Sequence, residues 1–232
     1  MKKKMLLLPL VVLFLAGLAC NAGSGNTGPT STPAPTPIPE PTEDPNILFT
    51  DDFSSSSSGW DIVRDEPDTP GMTDYDQGGY RIQVLEADFS YWANPGLSGL
   101  SDVSITVEAK KLSGPDDNAL GIICRYVDIS NFYVFLASSD GYYGISKVVD
   151  GNQELIGEEN LLPTDAIKQG ADAVNTLRAD CVGSTLTLFI NGTQVTQFQD
   201  VTFASGDVGL LARTLDILGT DILFDNFVVR KP

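Results

Sequence analysis

The stretch from Asp117 to Ile145 constrains the fold most, because it combines closely spaced β-forming runs with turn signals. Its sequence is DNALGIICRYVDISNFYVFLASSDGYYGI, in which two apolar, β-branched and aromatic runs precede the start of a third. Turn-forming residues separate the runs at 128–131 and at 138–141. The pattern predicts a meander of adjacent antiparallel strands.

The first run of this meander is apolar on both of its faces. Strict alternation places one set of residues on one face, Leu120, Ile122, Cys124 and Tyr126, and the other set opposite, Ala119, Gly121, Ile123, Arg125 and Val127. A strand of this kind is normally covered on both sides. Arg125 is the exception, since a guanidinium there needs either a buried carboxylate partner or a place in an open groove. We expect Arg125 to lie in an open groove.

Strand signals recur over the chain from Asn46 onward. The run Val103 to Ala109 alternates strictly between apolar and polar residues, which predicts a half-buried strand. Asn191 and Gly192 lie between two alternating runs, which is a strong hairpin signal. Residues 157–171 form the longest stretch without strand character, and a helical turn around Thr164 to Lys168 is the alternative to a loop there. About a dozen short strands predict an all-β, two-sheet antiparallel sandwich.

The first 45 residues differ in composition from the rest. Residues 1–19, MKKKMLLLPLVVLFLAGLA, combine three lysines, a short apolar core and small residues, which is typical of a secretory signal. The apolar core is short for a membrane-spanning helix, although an uncleaved anchor stays an alternative. Residues 20–45 are rich in Pro and Thr and predict a disordered, extended linker. The globular domain is predicted over 46–232.

The residues before Cys20, LAGLA, resemble a bacterial lipobox, in which the cysteine becomes the lipidated first residue of the mature protein. Gly17 departs from the usual aliphatic residue, so cleavage by an ordinary signal peptidase stays open. A multiple-chain lipid at Cys20 would anchor the protein stably. We expect an exported protein, lipid-anchored to the cell membrane and facing outside the cytoplasm.

The composition excludes several classes of function. The chain of 232 residues contains no histidine, which removes Ser-His-Asp and Cys-His catalysis and any zinc site that uses His. Carboxylate-pair chemistry, Lys or Tyr bases and oxygen-ligated metals remain. With 14 basic and 31 acidic residues the net charge is −17, so we expect no nucleic-acid partner. A monomer is expected.

Two cysteines remain if Cys20 is lipidated. Cys124 and Cys181 lie on apolar faces of their predicted strands. A disulfide between them is the economical interpretation in an exported protein, and buried free thiols are the alternative.

Four segments of the chain resemble bacterial concanavalin A-like jelly-roll domains, closest to the 3-keto-disaccharide hydrolase-like and laminin G-like groups. The segments are FTDDFSSSSSGW, GIICRYVDISNFYVFLASSDGYYGISK, NTLRADCVGSTLTLFINGTQV and FDNFVV. The resemblance implies a jelly-roll fold over Asn46 to Pro232. Its members include sugar-binding modules, glycosidases, lyases and surface lipoproteins. Glycosidases of this fold class carry a Glu-x-Asp-x-(x)-Glu strand motif, which is absent here; Glu86 and Asp88 are the nearest approach.

The fold class also suggests a candidate metal site. Asp225 interrupts the apolar face of Leu223, Phe227 and Val229, so we expect its carboxylate to point inward. If the terminal strands pair, Asp225 is near Asp51 or Asp52, and clustered acids favour Ca²⁺. The alternative, which we favour, is that Asp225 caps main-chain amides of the N-terminal strand. No other cofactor is indicated.

Aromatic residues supply a candidate ligand site. With Arg125, the set comprises Trp92, Tyr126, Tyr133, Tyr142 and Tyr143. Rings stack on sugar faces and arginine donates fixed hydrogen bonds, the usual composition of a carbohydrate cleft, although core packing is the alternative for each ring. We therefore expect a non-catalytic, membrane-tethered module that binds carbohydrate or another extracellular ligand. The alternatives are a glycoside or 3-keto-disaccharide hydrolase using carboxylates, and a structural envelope lipoprotein.

Overall fold

The computed structural model describes residues 44–64 and 69–232, and this part of the chain is built from fifteen β-strands without a helix. The strands are β1 (Ile47–Asp51), β2 (Gly71–Asp76), β3 (Gly79–Val84), β4 (Ser90–Ala93), β5 (Val103–Ser113), β6 (Asn118–Asp128), β7 (Asn131–Ala137), β8 (Tyr142–Val149), β9 (Asn152–Leu155), β10 (Leu162–Pro163), β11 (Val174–Val182), β12 (Thr185–Ile190), β13 (Thr193–Gln199), β14 (Asp207–Thr214) and β15 (Thr220–Arg230).

The N-terminal predictions concern residues that the structure does not describe. The signal sequence, Cys20 and nearly all of the linker lie outside the described ranges. Within those ranges, no helix is long and apolar enough to cross a membrane. The segment around Thr164 to Lys168 forms a turn and a bend, not a helical turn.

The strands form two antiparallel sheets packed as a sandwich. The eight-stranded sheet has the order β13-β12-β11-β5-β15-β3-β2, with β1 also paired to β15. The seven-stranded sheet has the order β10-β8-β7-β6-β14-β4, with β9 also paired to β8. The predicted meander is β6, β7 and β8, which lie side by side. The predicted all-β, jelly-roll-type sandwich is confirmed.

The main core lies between the two sheets. Alternation along the strands directs large apolar side chains inward from both sheets, among them Ile82, Ile105, Ile122, Phe135 and Phe224, each fully buried. Burying a side chain of this size contributes roughly 1.5–3 kcal/mol. The predicted disulfide between Cys124 of β6 and Cys181 of β11 is confirmed, and it joins the two sheets with a Cα–Cα distance of 7.0 Å.

A second, smaller apolar cluster covers the outer face of the seven-stranded sheet. Its buried members are Ala119, Ile123, Phe132, Val134, Leu136, Val148 and Leu211, and Trp92, Tyr126 and Leu161 pack against it. The central strands of this sheet are therefore apolar on both faces, as the sequence of the meander predicts. We call this outer surface the groove face.

A β-bulge at Arg125 overturns the predicted faces of β6. Arg125 has a φ of 52°, and the pairing of β6 with β7 shifts register between Cys124 and Asp128. An extra residue in one strand reverses the side-chain alternation beyond it. Tyr126 therefore packs on the groove face with Ile123, and Arg125 points away from that face, opposite to the prediction.

Candidate functional site

Two cavities lie side by side on the groove face, each with a volume of about 320 Å³. The aromatic compartment is lined by Asp88, Phe89, Ser90, Trp92, Ile129, Phe132, Val134, Val148, Gly151, Gln153, Leu211 and Arg213. The leucine compartment is lined by Ala119, Leu136, Ser146, Gln153, Leu155, Leu161, Arg213 and Leu215. Gln153 and Arg213 line both compartments, so the two cavities are halves of one groove.

A polar bridge divides the groove. Arg213 donates from Nη1 to Oε1 of Gln153 at 3.0 Å, and Gln153 donates from Nε2 to Oγ of Ser146 at 2.8 Å. Arg213 lies on β14, whereas Gln153 lies on β9 at the other side of the sheet. The bridge therefore crosses the strands that form the apolar floor.

This bridge shows that the groove face is curved. Four inter-strand spacings separate β14 from β9 in the order β9-β8-β7-β6-β14, which is roughly 19 Å in a flat sheet. An arginine and a glutamine side chain together do not span that distance. The sheet, including the β8–β9 hairpin, must curl toward its own outer face, which makes a groove rather than a flat surface.

The aromatic compartment carries partly exposed rings over a buried one. Phe132 is 3% exposed, and the half-buried Trp92 and Tyr126 lie against it with ring centroids 5.6 and 5.5 Å away. Such packing fixes the orientation of Trp92 because its ring is supported from one side. Of the residues predicted to bind a ligand, Trp92 and Tyr126 are the two that pack against the apolar cluster of the groove face.

Local sequence explains the leucine compartment. Gly144 of β8 has its position on the groove face, where a Cβ atom would approach Cδ2 of Leu161 to 2.6 Å and Cδ2 of Leu155 to 3.0 Å. The missing side chain thus lets Leu161 and Leu155 pack on the sheet. The side of the compartment formed by these leucines depends on this glycine.

Arg125 lies at the end of the sandwich and not in the groove. It is 2% exposed and donates from Nε to the carbonyl of Ser101 at 3.2 Å, from Nη1 to that of Phe203 at 2.8 Å and from Nη2 to that of Gly183 at 2.8 Å. Asp102 lies 3.5 Å from Nη2. The predicted role of Arg125 in an open groove is therefore not supported, because its guanidinium is buried and donates its hydrogen bonds to main-chain carbonyls of loops from both sheets.

Tyr133 also holds a loop. It lies in the core and donates its hydroxyl to Oδ1 of Asp200 at 2.6 Å, while the amide of Phe203 donates to the same hydroxyl at 3.0 Å. Lys147 donates to Oδ2 of Asp200 at 2.8 Å. Burial acts to raise the pKa of Asp200, but hydrogen bonds from Lys147, Thr202 and Tyr133 outweigh it and lower the pKa. Tyr133 therefore belongs to an anchor for the loop after β13.

The tyrosine pair at the start of β8 lines neither compartment. Tyr142 is 40% exposed and pairs with Pro163 of β10, and Tyr143 packs partly against the main core. Alternation places them on opposite faces, as predicted.

The three predicted metal ligands do not form a cluster. Asp51 is buried and accepts hydrogen bonds from the amide of Phe53 and the hydroxyl of Ser58. Asp52 is exposed and caps Ser54. The predicted inward position of Asp225 is wrong: a bulge follows it at Asn226, where φ is 53°, and its carboxylate accepts from the amide of Asn226.

Within the described ranges, no group of three His, Cys, Asp or Glu side chains is arranged to hold a metal ion. The described residues therefore supply no set of ligands for calcium at these aspartates. Calcium binding there stays a prediction. Asp51 and Asp52 instead stabilise the turn that follows β1.

Sequence reasoning missed the polar residues of the groove. Arg213, Gln153 and Ser146 come from three strands, so no local motif unites them. One signal was present: Arg213 ends the apolar run of β14, as Arg125 interrupts that of β6.

Comparison with known proteins supports the fold. No protein-family model and no curated protein sequence matches the chain. Among solved structures, the chain is similar to carbohydrate binding module CBM66 from Bacillus subtilis, with a TM-score of 0.58 and 19% identity over 75% of this chain and 96% of that one. It is also similar to a protein of unknown function with a galectin-like fold from Bacillus subtilis, with a TM-score of 0.55 and 11% identity over 80% and 96% of the two chains.

A third similar structure belongs to a larger protein. The xylan β-1,4-xylosidase from Bacillus halodurans C-125 gives a TM-score of 0.55 and 14% identity, over 85% of this chain but 41% of the xylosidase chain. The chain therefore corresponds to less than half of that protein. At these identities the similarity establishes a shared sandwich fold.

Proposed function

We propose that this chain is a carbohydrate-binding module whose ligand lies along the groove face of the seven-stranded sheet. The observation that carries the proposal is the composition of the groove: a supported, partly exposed ring of Trp92 beside side-chain donors on Arg213 and Gln153, in an open, curved and largely apolar groove. Aromatic faces pack on the C–H faces of sugar rings, and a few placed polar groups fix the hydroxyls. The similarity to CBM66 supports this choice.

Binding without hydrolysis fits the described groove better than catalysis. Glycosidases of the usual kind need two carboxyl groups about 5–9.5 Å apart. Among the described residues that line the two compartments, Asp88 is the only acid, and it lies in the turn before β4. Glu86, the other acid of that turn, is exposed and lines neither compartment.

We further propose that Cys20 carries the module on the outer side of the membrane through the linker of residues 20–45. The expected observation is a protein in the membrane fraction whose intact mass corresponds to a lipidated chain beginning at Cys20. A secreted form with an unmodified N-terminus would exclude the anchor and leave the binding proposal untouched.

The test of binding is a glycan array probed with the purified full-length protein, followed by calorimetry on the best ligand. We expect Trp92→Ala to weaken binding about fivefold, because loss of an aromatic contact of this kind costs on the order of 1 kcal/mol. Phe189→Ala is the matched control, since Phe189 lies on the outer face of the other sheet under Arg178. Equal affinity of wild type and Trp92→Ala would contradict the assignment of the groove.

A further inference from the structure

Arg213 differs from the other arginines of this protein. Five of the six lie 2.7–3.5 Å from a carboxylate oxygen, namely Arg64, Arg81, Arg125, Arg178 and Arg230. Within the described ranges Arg213 has no ion-pair partner, although acids outnumber bases by 31 to 14 in the chain. A cation that lacks a carboxylate in so acidic a chain, and that stands at the centre of a groove, is a candidate for binding an anion.

The guanidinium also has unused hydrogen-bonding capacity. Its five N–H donors form a planar fork, and the structure gives it one acceptor, Oε1 of Gln153. Its Nε atom is buried and has no hydrogen-bond partner. A buried donor without a partner is unfavourable until a ligand or a water molecule supplies the acceptor. The free donors are suited to a carboxylate, which accepts two parallel N–H bonds from such a fork.

The two compartments differ in charge, and this difference indicates in which of them an anionic group bound to Arg213 would lie. Asp88 lines the aromatic compartment and disfavours an anion there. The leucine compartment contains no acid among its described lining residues. Its leucine side chains also lower the local polarity, which strengthens a charge-assisted hydrogen bond.

We propose that the groove recognises an acidic polysaccharide, with the carboxylate of a uronic acid on Arg213 in the leucine compartment and a neighbouring sugar ring on Trp92 in the aromatic compartment. The inference rests on the proposed carbohydrate-binding function and names its substrate class. The net charge of −17 opposes a polyanion at long range, but this repulsion is screened beyond about 8 Å at physiological ionic strength, so the short contact decides.

The experiment compares each acidic glycan with a neutral copy of itself. Pectate, alginate and glucuronoxylan oligosaccharides are titrated into the full-length protein beside their carboxyl-reduced forms, together with a sulfated galactan and its desulfated form. We expect at least one uronic-acid oligosaccharide to bind at least about tenfold more tightly than its reduced form. The reason is that the reduced form cannot make the charge-assisted hydrogen bonds to Arg213. A preference for the sulfate ester alone would overturn the assignment of a uronic acid.

Variants test whether the preference for acidic over carboxyl-reduced ligands depends on Arg213. Arg213→Gln should bring the affinity ratio of acidic to reduced ligand close to one, and Arg213→Lys should keep only part of it, because lysine has the charge but not the fork. Arg230→Gln, which removes an arginine from the opposite sheet, should keep the full ratio. Should Arg213→Gln fail to fold, the lysine variant decides the matter alone, and an undiminished ratio in it would contradict bidentate binding.

Two failures are distinguishable. If the protein binds neutral glycans as tightly as acidic ones, the inference about Arg213 is wrong and the binding function stands. If the folded protein binds no glycan of either kind, the proposed function itself is wrong.

Discussion

Single residues in this protein take roles that alternation along a strand does not reveal. Arg125 is the clearest case, since a positive φ outside glycine is typical of Asn and Asp, and nothing in the sequence marks an arginine for it. Once the bulge turns its side chain inward, the guanidinium donates to three main-chain carbonyls, those of Ser101, Phe203 and Gly183. Gly206 permits this approach, because a Cβ there would collide with the main chain of Arg125 and Tyr126.

Arg125→Ala should therefore lower the stability of the protein and not its ligand affinity. Three main-chain carbonyls, of which that of Phe203 is buried, lose a charged donor, and we expect a loss of about 3 kcal/mol in the free energy of unfolding. The measurement is urea unfolding, read as a lower midpoint at unchanged m-value. Arg230→Ala, which removes an exposed arginine paired with Asp44, should change stability by less than about 1 kcal/mol. A native-like midpoint for Arg125→Ala with weakened glycan binding would restore the groove assignment of Arg125.

At the scale of elements, the loop between β13 and β14 is held by Tyr133 and Arg125, which the sequence suggested as ligand contacts, and by Lys147, which it did not suggest. Tyr133 and Lys147 meet Asp200, and Arg125 meets the carbonyl of Phe203 in the same loop. The sequence identified the strands and hairpins because these depend on local alternation and turn residues. It could not assign the loop contacts, since they join residues more than 50 positions apart.

The lowered pKa of Asp200 predicts how stability depends on pH. The folded state holds this carboxylate in its ionised form, whereas in the unfolded chain an aspartate titrates near 4. Its contribution to stability is therefore present above about pH 4 and declines as pH falls further toward the folded pKa. Thermal midpoints of wild type and Asp200→Asn should differ most at neutral pH and converge below about pH 4. Parallel curves over the whole range would show that Asp200 is not the group responsible.

At the scale of the whole molecule, the two faces of the seven-stranded sheet differ: one closes the main core, and the other carries the proposed binding groove. The main core and the Cys124–Cys181 bond hold the sheets together, and a disulfide closing a loop of this kind typically stabilises a fold by about 2–4 kcal/mol. The apolar outer face of the seven-stranded sheet does not take part in the packing of the two sheets, and it is partly open to solvent. Such a face was foreseeable from the doubly apolar β6, whereas its polar bridge, built from Arg213, Gln153 and Ser146, required the fold.

The central claim is that sugar binds on the groove face, and the two tryptophans of the chain test it directly. Trp92 lines the aromatic compartment, whereas Trp60 is buried in the main core beside Phe53 and Tyr80. Full-length protein carrying fluorotryptophan gives one fluorine signal for each, and the Trp92→Phe variant assigns them. Titration with the glycan selected on the array should shift the Trp92 signal and leave the Trp60 signal in place. A saturable binding curve that leaves the Trp92 signal unmoved would contradict the account, because the ligand would then lie elsewhere on the molecule.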